Sequence, residues 1–317
     1  MGKVVGISFG RKMSNTEIMI KAALEVCAQR GHEIEFIRAM DLDIKQCTGC
    51  TACVGGLISG KTTGTCVFKD DIAVIHEALY SCDAIMVGSP VFETSPSGLY
   101  KAVCDRMGPS HDISFLKTAY DERKAAGADP KLLPDERAFK KRVGVLWASG
   151  GAMTKNWTAL TIPVMYELMM STGVDVIDAH VQYAAMKQSH VLGDEAEMER
   201  ARQAGEHIAD AIEAETEEKR TAWRGDEEGA CPVCHMDLIT MFPGSSRIEC
   251  PICGIEGILE FTDGVPRAVF SEAEQKRSRL FYAGKLEHSN EIKNGARTMK
   301  VVPDLKEKLE KYRNIGV

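Results

Sequence analysis

Along roughly the first 215 residues, short apolar runs alternate with stretches whose apolar residues recur every three or four positions. The runs VVGISF (4–9), EIEFIRA (33–39), DAIMVGSP (83–90), VGVLWASGG (143–151) and VDVIDAHV (174–181) predict five strands. Between them, IMIKAALEVCAQRG ends at Gly31, and DDIAVIHEALYSC starts from Asp70 or Asp71. SGLYKAVCDRM and a stretch around 155–172 complete the intervening helical patterns. Asp194 and Glu197 form a capping box that opens a further helix, whose apolar stripe is Met198, Ala201, Gly205, Ile208 and Ile212. Residues 109–140 contain Pro109, Pro130 and Pro134 and predict an irregular polar excursion.

Strands that alternate with helices imply a parallel sheet covered on both faces, an α/β doubly wound fold. Ligands of such sheets lie beyond the carboxyl ends of the strands, where the strand order switches direction. Beyond this body, EAETEEKRTAWRGDEEGA predicts a helix end and a linker over 216–229. A small cysteine module follows at 230–265. Residues 266–317 carry 12 Lys+Arg against 7 Asp+Glu, and PDLKEKLEKYRNIG predicts a closing helix.

A chain of 317 residues with 39 basic and 46 acidic side chains has a net charge of −7, which argues against generic nucleic-acid binding. Its start, MGKVVGISFG, has no secretory pattern, and no run is apolar enough for a membrane, so a cytoplasmic location is expected. The unusual count is 11 cysteines. In a reducing compartment these point to metal or redox chemistry rather than disulfides.

Eight of the 11 cysteines form two groups of four. Cys47, Cys50 and Cys53 form a Cys-x2-Cys-x2-Cys run followed, twelve residues on, by Cys66. Compact runs of this kind suit a [4Fe–4S] cluster, with zinc or unligated thiols as the alternatives. Cys231 and Cys234, then Cys250 and Cys253, form two Cys-x2-Cys knuckles fifteen residues apart, the spacing of a four-thiolate ribbon. Zinc would be structural there. Iron competes, because C-P-I-C-G also resembles rubredoxin and four-sulfur tetrahedral sites accept either metal. Cys27, Cys82 and Cys104 fall on helices or at a strand's edge and read as small buried side chains.

The turn after the first strand leads into a helix start near Ser14–Thr16. Unpaired N–H groups and the helix dipole at such a start favour phosphate. Ser8, Ser14, Asn15 and Thr16 can add polar groups and Arg11 and Lys12 charge, although Ser14 or Thr16 could merely cap the helix. The glycine-rich dinucleotide fingerprint is absent.

Several pieces, in order, carry a resemblance: S-x-x-R-K-x-S-N-T (Ser8 to Thr16), the C-T-G-C-T-A-C loop ending in G-T-C-V-F-K-D-D, G-S-P-V-F at 88–92, S-G-L-Y-K-A-V-C-D-R at 97–106, and the S-G-G turn at 149–151. With these the chain resembles the flavodoxin-like NAD(P)H-dependent FMN reductases and, within them, the iron–sulfur flavoproteins. The resemblance implies FMN, with its phosphate in the Ser8–Thr16 turn. The ring would lie between Pro90, Val91, Phe92, Glu93 and Thr94 on one side and Ser149, Gly150, Gly151 and Ala152 on the other. It also implies a [4Fe–4S] cluster on Cys47, Cys50, Cys53 and Cys66, with ferredoxin or NAD(P)H as donor, and a homodimer or homotetramer. The sequence departs from the family pattern in two places. Phe92 stands where tyrosine is frequent, and the gap before Cys66 is longer than usual. Lys101, Asp105 and Arg106 match the family but read as structural salt bridges, and His76, His111, His180 and His190 read as structural. Other functions compatible with this pattern are an FMN, quinone or nitro reductase without a cluster, and a redox-sensing binding protein that uses its ribbon.

Overall fold

The computed structural model describes residues 1–298, 301–313 and 315–316. In chain order the first half comprises β1 (Lys3–Ser8), α1 (Asn15–Gln29), β2 (Glu33–Arg38), α2 (Ala52–Ile58), α3 (Ile72–Ser81), β3 (Ala84–Phe92), β4 (Ser95–Pro96), α4 (Gly98–Arg106), α5 (Gly108–His111) and α6 (Ile113–Ala125). Then come β5 (Arg142–Ser149), α7 (Thr161–Thr172), β6 (Val174–Gln182), α8 (Glu195–Glu213) and α9 (Glu217–Thr221). The remainder holds β7 (Thr240–Met241), β8 (Arg247–Glu249), β9 (Glu256–Thr262), β10 (Val265–Val269), α10 (Glu272–Lys276), α11 (Tyr282–Thr298) and α12 (Leu305–Arg313).

Five strands pair in the order β2-β1-β3-β5-β6, all parallel, and two-residue β4 turns back along the end of β3. This is the flavodoxin-like order, with its switch between β1 and β3. Because both faces are covered, the central strands are apolar throughout: β5 is buried at all eight positions. One face packs Val4, Met86, Val145 and Trp147 against α1 and α8. Gly205 on α8 makes that approach possible, since a Cβ there would stand 2.9 Å from the Val26 Cβ. Half of the expected capping box forms: Asp194 accepts from the Glu197 N–H at 3.2 Å, while the Asp194 N–H donates to the Val191 carbonyl and the Glu197 carboxylate meets His180.

The opposite face packs Val5, Ile85, Val87 and Leu146 under α3, α4 and α7. The same cluster continues into Cys231, Cys234, Ile248, Cys250, Cys253 and Phe270, so ribbon and sheet share one core. The ribbon is a four-stranded antiparallel sheet ordered β10-β9-β8-β7.

Three sequence expectations are corrected. Residues 109–140 are not an irregular excursion: α6 is capped by Asp112, whose carboxylate accepts from the Ser114 N–H at 2.8 Å, and buries Phe115, Leu116 and Tyr120. Its many charges hid the stripe, while flanking prolines suggested a loop. The helix expected around 155–172 begins only at Thr161, after the short turn Lys155–Trp157, and ends at Gly173 with φ +65. The ribbon also extends past residue 265, because β10 pairs with β9 through Val269. Cys27, Cys82 and Cys104 are buried, and burial raises the first two thiols to about 12 and about 11 and the third further still. Such thiols are unreactive packing groups. Among the described residues no helix is long and apolar enough to cross a membrane.

Candidate functional site

A cavity of about 410 Å³ opens beyond the carboxyl ends of β1, β3 and β5, at the switch in strand order. The turn from β1 to α1 forms its floor. Ser14 caps α1 by accepting from the Glu17 N–H at 3.3 Å, which leaves the first helical N–H groups, on Asn15 and Thr16, without intrahelical partners. The turn is tight: Ser8 Oγ accepts from the Gly10 N–H at 3.2 Å, and a Cβ on Gly10 would collide with Ser14 Oγ. Gly88 gives similar clearance to Thr16, whose Cγ2 would lie 2.7 Å from an added Cβ.

One wall is the end of β3, where Glu93 and Thr94 take φ of +47 and +70 between the paired residues Phe92 and Ser95. Two successive left-handed residues make the two-residue hairpin whose twist suits antiparallel strands, and non-glycine residues there carry strain. Thr94 is held by α7, its carbonyl accepting from Leu160 N–H at 3.2 Å and from Thr161 Oγ1 at 3.0 Å. The facing wall is the turn after β5. Ser149 lines the cavity, and its buried Oγ has no hydrogen-bond partner within the protein, which suits it to a polar ligand atom.

Of the residues expected at this site, Arg11, Ser14, Asn15, Thr16, Pro90, Val91, Phe92, Ser149 and Gly151 line the cavity. Ser8, Glu93, Thr94, Gly150 and Ala152 are not among the lining residues and flank them along the chain. The Gly150 N–H donates to the Gln182 carbonyl at 2.8 Å, and the Ala152 carbonyl accepts from Ala184 N–H at 2.9 Å. Asn15 has its side chain fully engaged elsewhere, donating to the carbonyls of Ala185 (3.2 Å) and Lys187 (2.9 Å) and accepting from Val191 N–H (3.2 Å). What it offers the cavity is backbone. The sequence reading missed Phe9, Gly10, Met40, Ala185, Met186 and Gln188, which also line it. Ala185, Met186 and Gln188 follow the fifth strand, so the carboxyl-end rule applied there would have found them.

The first cysteine group lies on the segment between β2 and α3. Cys47 and Cys50 are exposed, Cys53 and Cys66 half-buried. No three of their sulfurs gather as closely as a single ion requires, whereas thiolates on a four-iron cluster sit on different irons and stand farther apart. The ends of this segment are locked together. Arg106 donates to both Asp70 oxygens (2.6 and 3.1 Å) and to the Lys45 carbonyl (2.8 Å), and Asp43 N–H donates to Asp71 at 2.8 Å. Arg106 holds the Asp70 carboxyl down to about 2. Lys101 pairs with Asp105 along the helix surface, as expected of structural ion pairs.

The second group converges. Cys231, Cys234, Cys250 and Cys253 are buried, with their sulfurs all within 4.8 Å of one another. Cys231 and Cys253 are 3.7 Å apart and Cys234 and Cys250 3.5 Å. Metal–sulfur bonds of about 2.3 Å place tetrahedral sulfurs roughly 3.8 Å apart, so the four fit one ion. The knuckles match: His235 N–H donates to the Cys231 carbonyl at 2.9 Å and Gly254 N–H to the Cys250 carbonyl at 2.8 Å. Both residues have positive φ, +57 and +68. His235 bears this non-glycine strain while stacking on Trp223, with ring centroids 4.3 Å apart.

Three further histidines serve packing or ion pairing, while His190 is exposed. His180 meets Glu197 at 3.0 Å and packs on Trp147, and His76 and His111 lie against each other with centroids 4.1 Å apart.

Residues 3–176, more than half of the chain, match the family model for NADPH-dependent FMN reductases. The chain belongs to that family. This NADPH-dependent FMN reductase relative is therefore a flavin-dependent oxidoreductase, and its cavity coincides with the segments expected to hold FMN. It is 30% identical over 302 residues to flavone synthase cfoJ of Aspergillus candidus, covering 92% of this chain and 89% of that protein. It is 35% identical over 127 residues to an iron–sulfur flavoprotein of Methanocaldococcus jannaschii, covering 40% of this chain and 62% of that one. A solved flavone reductase superposes with a TM-score of 0.80 at 25% identity, covering 98% of this chain and 96% of that one. The two flavone enzymes thus align through the ribbon as well as the sheet.

Proposed function

We propose that the chain binds FMN in the cavity at the sheet's switch point and moves electrons between a reduced nicotinamide or ferredoxin and a planar conjugated acceptor. The observation that carries this reading is the meeting, in one cavity, of an open helix start, a strained β-hairpin and the unpartnered Ser149 hydroxyl. The start of α1 would take the phosphate, with Arg11 adding charge. The edge of β3 and Ser149 would orient the ring's polar edge, and Phe92 and Met186 would flank it. Bound FMN would supply both two-electron and one-electron transfer, and the protons an organic acceptor takes up would come from solvent at the open cavity. The acceptor class follows the two flavone enzymes, whose likeness spans nearly the whole chain.

The cavity is lined in part by exposed apolar side chains, Met40, Phe92 and Met186. Such a patch supports closure by a second copy of the chain, as a homodimer or a pair of homodimers. A second reading adds a [4Fe–4S] cluster on Cys47, Cys50, Cys53 and Cys66. It is favoured by the locked ends of that segment and by the iron–sulfur flavoprotein relative. The ribbon cysteines would hold zinc or iron.

Oxygen-free purification followed by flavin, iron, sulfide and zinc analysis tests all of this. One FMN per chain supports the main reading, and about four additional irons with four sulfides support the cluster. Flavin with iron only at the ribbon's stoichiometry removes the cluster. No FMN uptake, even on titration, removes the main reading.

A further inference from the structure

Two chains of contact run from the ribbon's first knuckle to the two walls of the FMN cavity. The first passes through α7. Tyr166, 2% exposed, donates its hydroxyl to the carbonyl of the ligand Cys234 at 2.7 Å. One turn and a half earlier, the same helix holds Thr94 of the strained hairpin through Leu160 N–H and Thr161 Oγ1. Tyr100 on α4 braces α7 between these points, donating to the Met165 carbonyl at 2.6 Å. The second chain passes through Lys155, just after the Ser149–Ala152 turn. Its ammonium pairs with Asp237, three residues beyond Cys234, and stands 3.8 Å from Glu227.

The two differ in strength. Lys155 and Asp237 are solvated, so their pair is worth little. The Tyr166 hydroxyl lies in the dry core that sheet and ribbon share, where an unmade bond leaves the Cys234 carbonyl buried without its partner. Packing reinforces it, because Met165 and Tyr166 sit in one cluster with all four ligand cysteines. The ribbon knuckle is thereby tied to α7, and α7 carries the hairpin.

We propose that the ribbon metal is a brace for the FMN cavity, acting through Tyr166 as a positioning residue, so that metal occupancy and FMN affinity are coupled. This rests on the FMN reading above. Coupling between two sites is reciprocal, so FMN must also protect the metal.

The test uses the full-length chain with its metal in place and then stripped of flavin. FMN is titrated by quenching of its fluorescence, and metal loss to phenanthroline is followed with and without saturating FMN. Tyr166→Phe should weaken FMN roughly five-fold, the size of one net buried hydrogen bond, and change the visible circular dichroism of the bound flavin. Lys155→Met should weaken it by no more than about two-fold, with Lys155→Arg restoring the loss. FMN should slow metal release from the wild type several-fold and from Tyr166→Phe less. Tyr120→Phe is the control for loss of a tyrosine hydroxyl, since that tyrosine is also buried, at 6% exposed, and its hydroxyl bonds Glu136 rather than a residue of either site. It should leave FMN affinity and dichroism unchanged. If the wild type binds FMN, yet Tyr166→Phe binds it equally well and FMN does not slow metal release, the brace is wrong while the FMN reading stands. If the wild type takes up no FMN, the FMN reading falls and the brace with it. Should metal removal unfold the chain, the Tyr166→Phe titration still decides.

Discussion

Replacing Arg106 with methionine asks whether one buried ion pair roots the first cysteine segment. The side chains of Arg106 and Asp70 are 1% and 0% exposed. Breaking a buried pair from one side costs about 3–5 kcal/mol, because the remaining charge has lost its partner. Here Asp70 keeps two backbone donors, the N–H groups of Lys45 at 2.9 Å and Ile72 at 3.4 Å. The low end therefore applies, about 3 kcal/mol, and methionine retains enough of the stem to keep a cavity from adding much. At about 2.1 cal/mol/K of unfolding entropy per residue over 317 residues, Tm should fall by roughly 4–5 °C. Urea unfolding of the wild type, Arg106→Met, Asp70→Asn and the double variant should give a coupling of at least about 2 kcal/mol. Acid supplies a second check. Arg106 holds the Asp70 carboxyl at about 2, below its usual 3.8. A carboxyl whose folded value is lowered stabilises above its unfolded value and loses that contribution as pH falls through its folded value. The gap between wild type and Arg106→Met should thus be constant near neutrality and close between pH of about 4 and about 2. A coupling below about 0.5 kcal/mol, or a gap unchanged down to pH of about 2, would refute the assignment.

Two further outcomes are expected. Gly10→Ala should lower FMN affinity roughly five-fold, because the new methyl displaces Ser14 Oγ from the helix cap, itself worth about 1 kcal/mol; fluorescence titration alongside far-UV dichroism separates this from unfolding. Burial lowers the His76 and His111 imidazoles to about 4 and about 3, so both are neutral in the fold. The unfolded chain then binds more protons below pH of about 6.5, and stability that is complete above that value should decline toward pH of about 4. His111→Gln should flatten the slope of urea-measured stability over that window, and an unchanged slope would contradict the neutral pair.

How much of this was legible beforehand varied with the kind of signal. The five strands were readable because buried parallel strands are nearly continuous apolar runs, and Gly31 marked a helix end by the conformation only glycine takes easily. The ribbon was readable because Cys-x2-Cys fixes its own local geometry. What depended on distant packing was not. The stripe of α6 faces α2 and the turn at 136–139, which no local pattern announces. Asn15 carried the right residue type for a phosphate turn, yet its amide is satisfied by a loop 170 residues away. Likewise the expectation that Arg106 was structural held, but its partners Asp70 and Lys45 could not be paired from spacing alone.

The core that runs unbroken from Val5 to Phe270 also constrains the order in which the chain can mature. Tyr166, Met165 and Ile162 are covered in part by a segment that leaves the ribosome some seventy to a hundred residues after them. Until then the sheet has a wet, apolar flank, the kind of transient surface that chaperones bind and that aggregates. The four thiols on that flank arrive with this later segment, and they must be reduced to share one metal ion. Reduced thiols during synthesis are therefore a condition for assembling that site, before any flavin is involved.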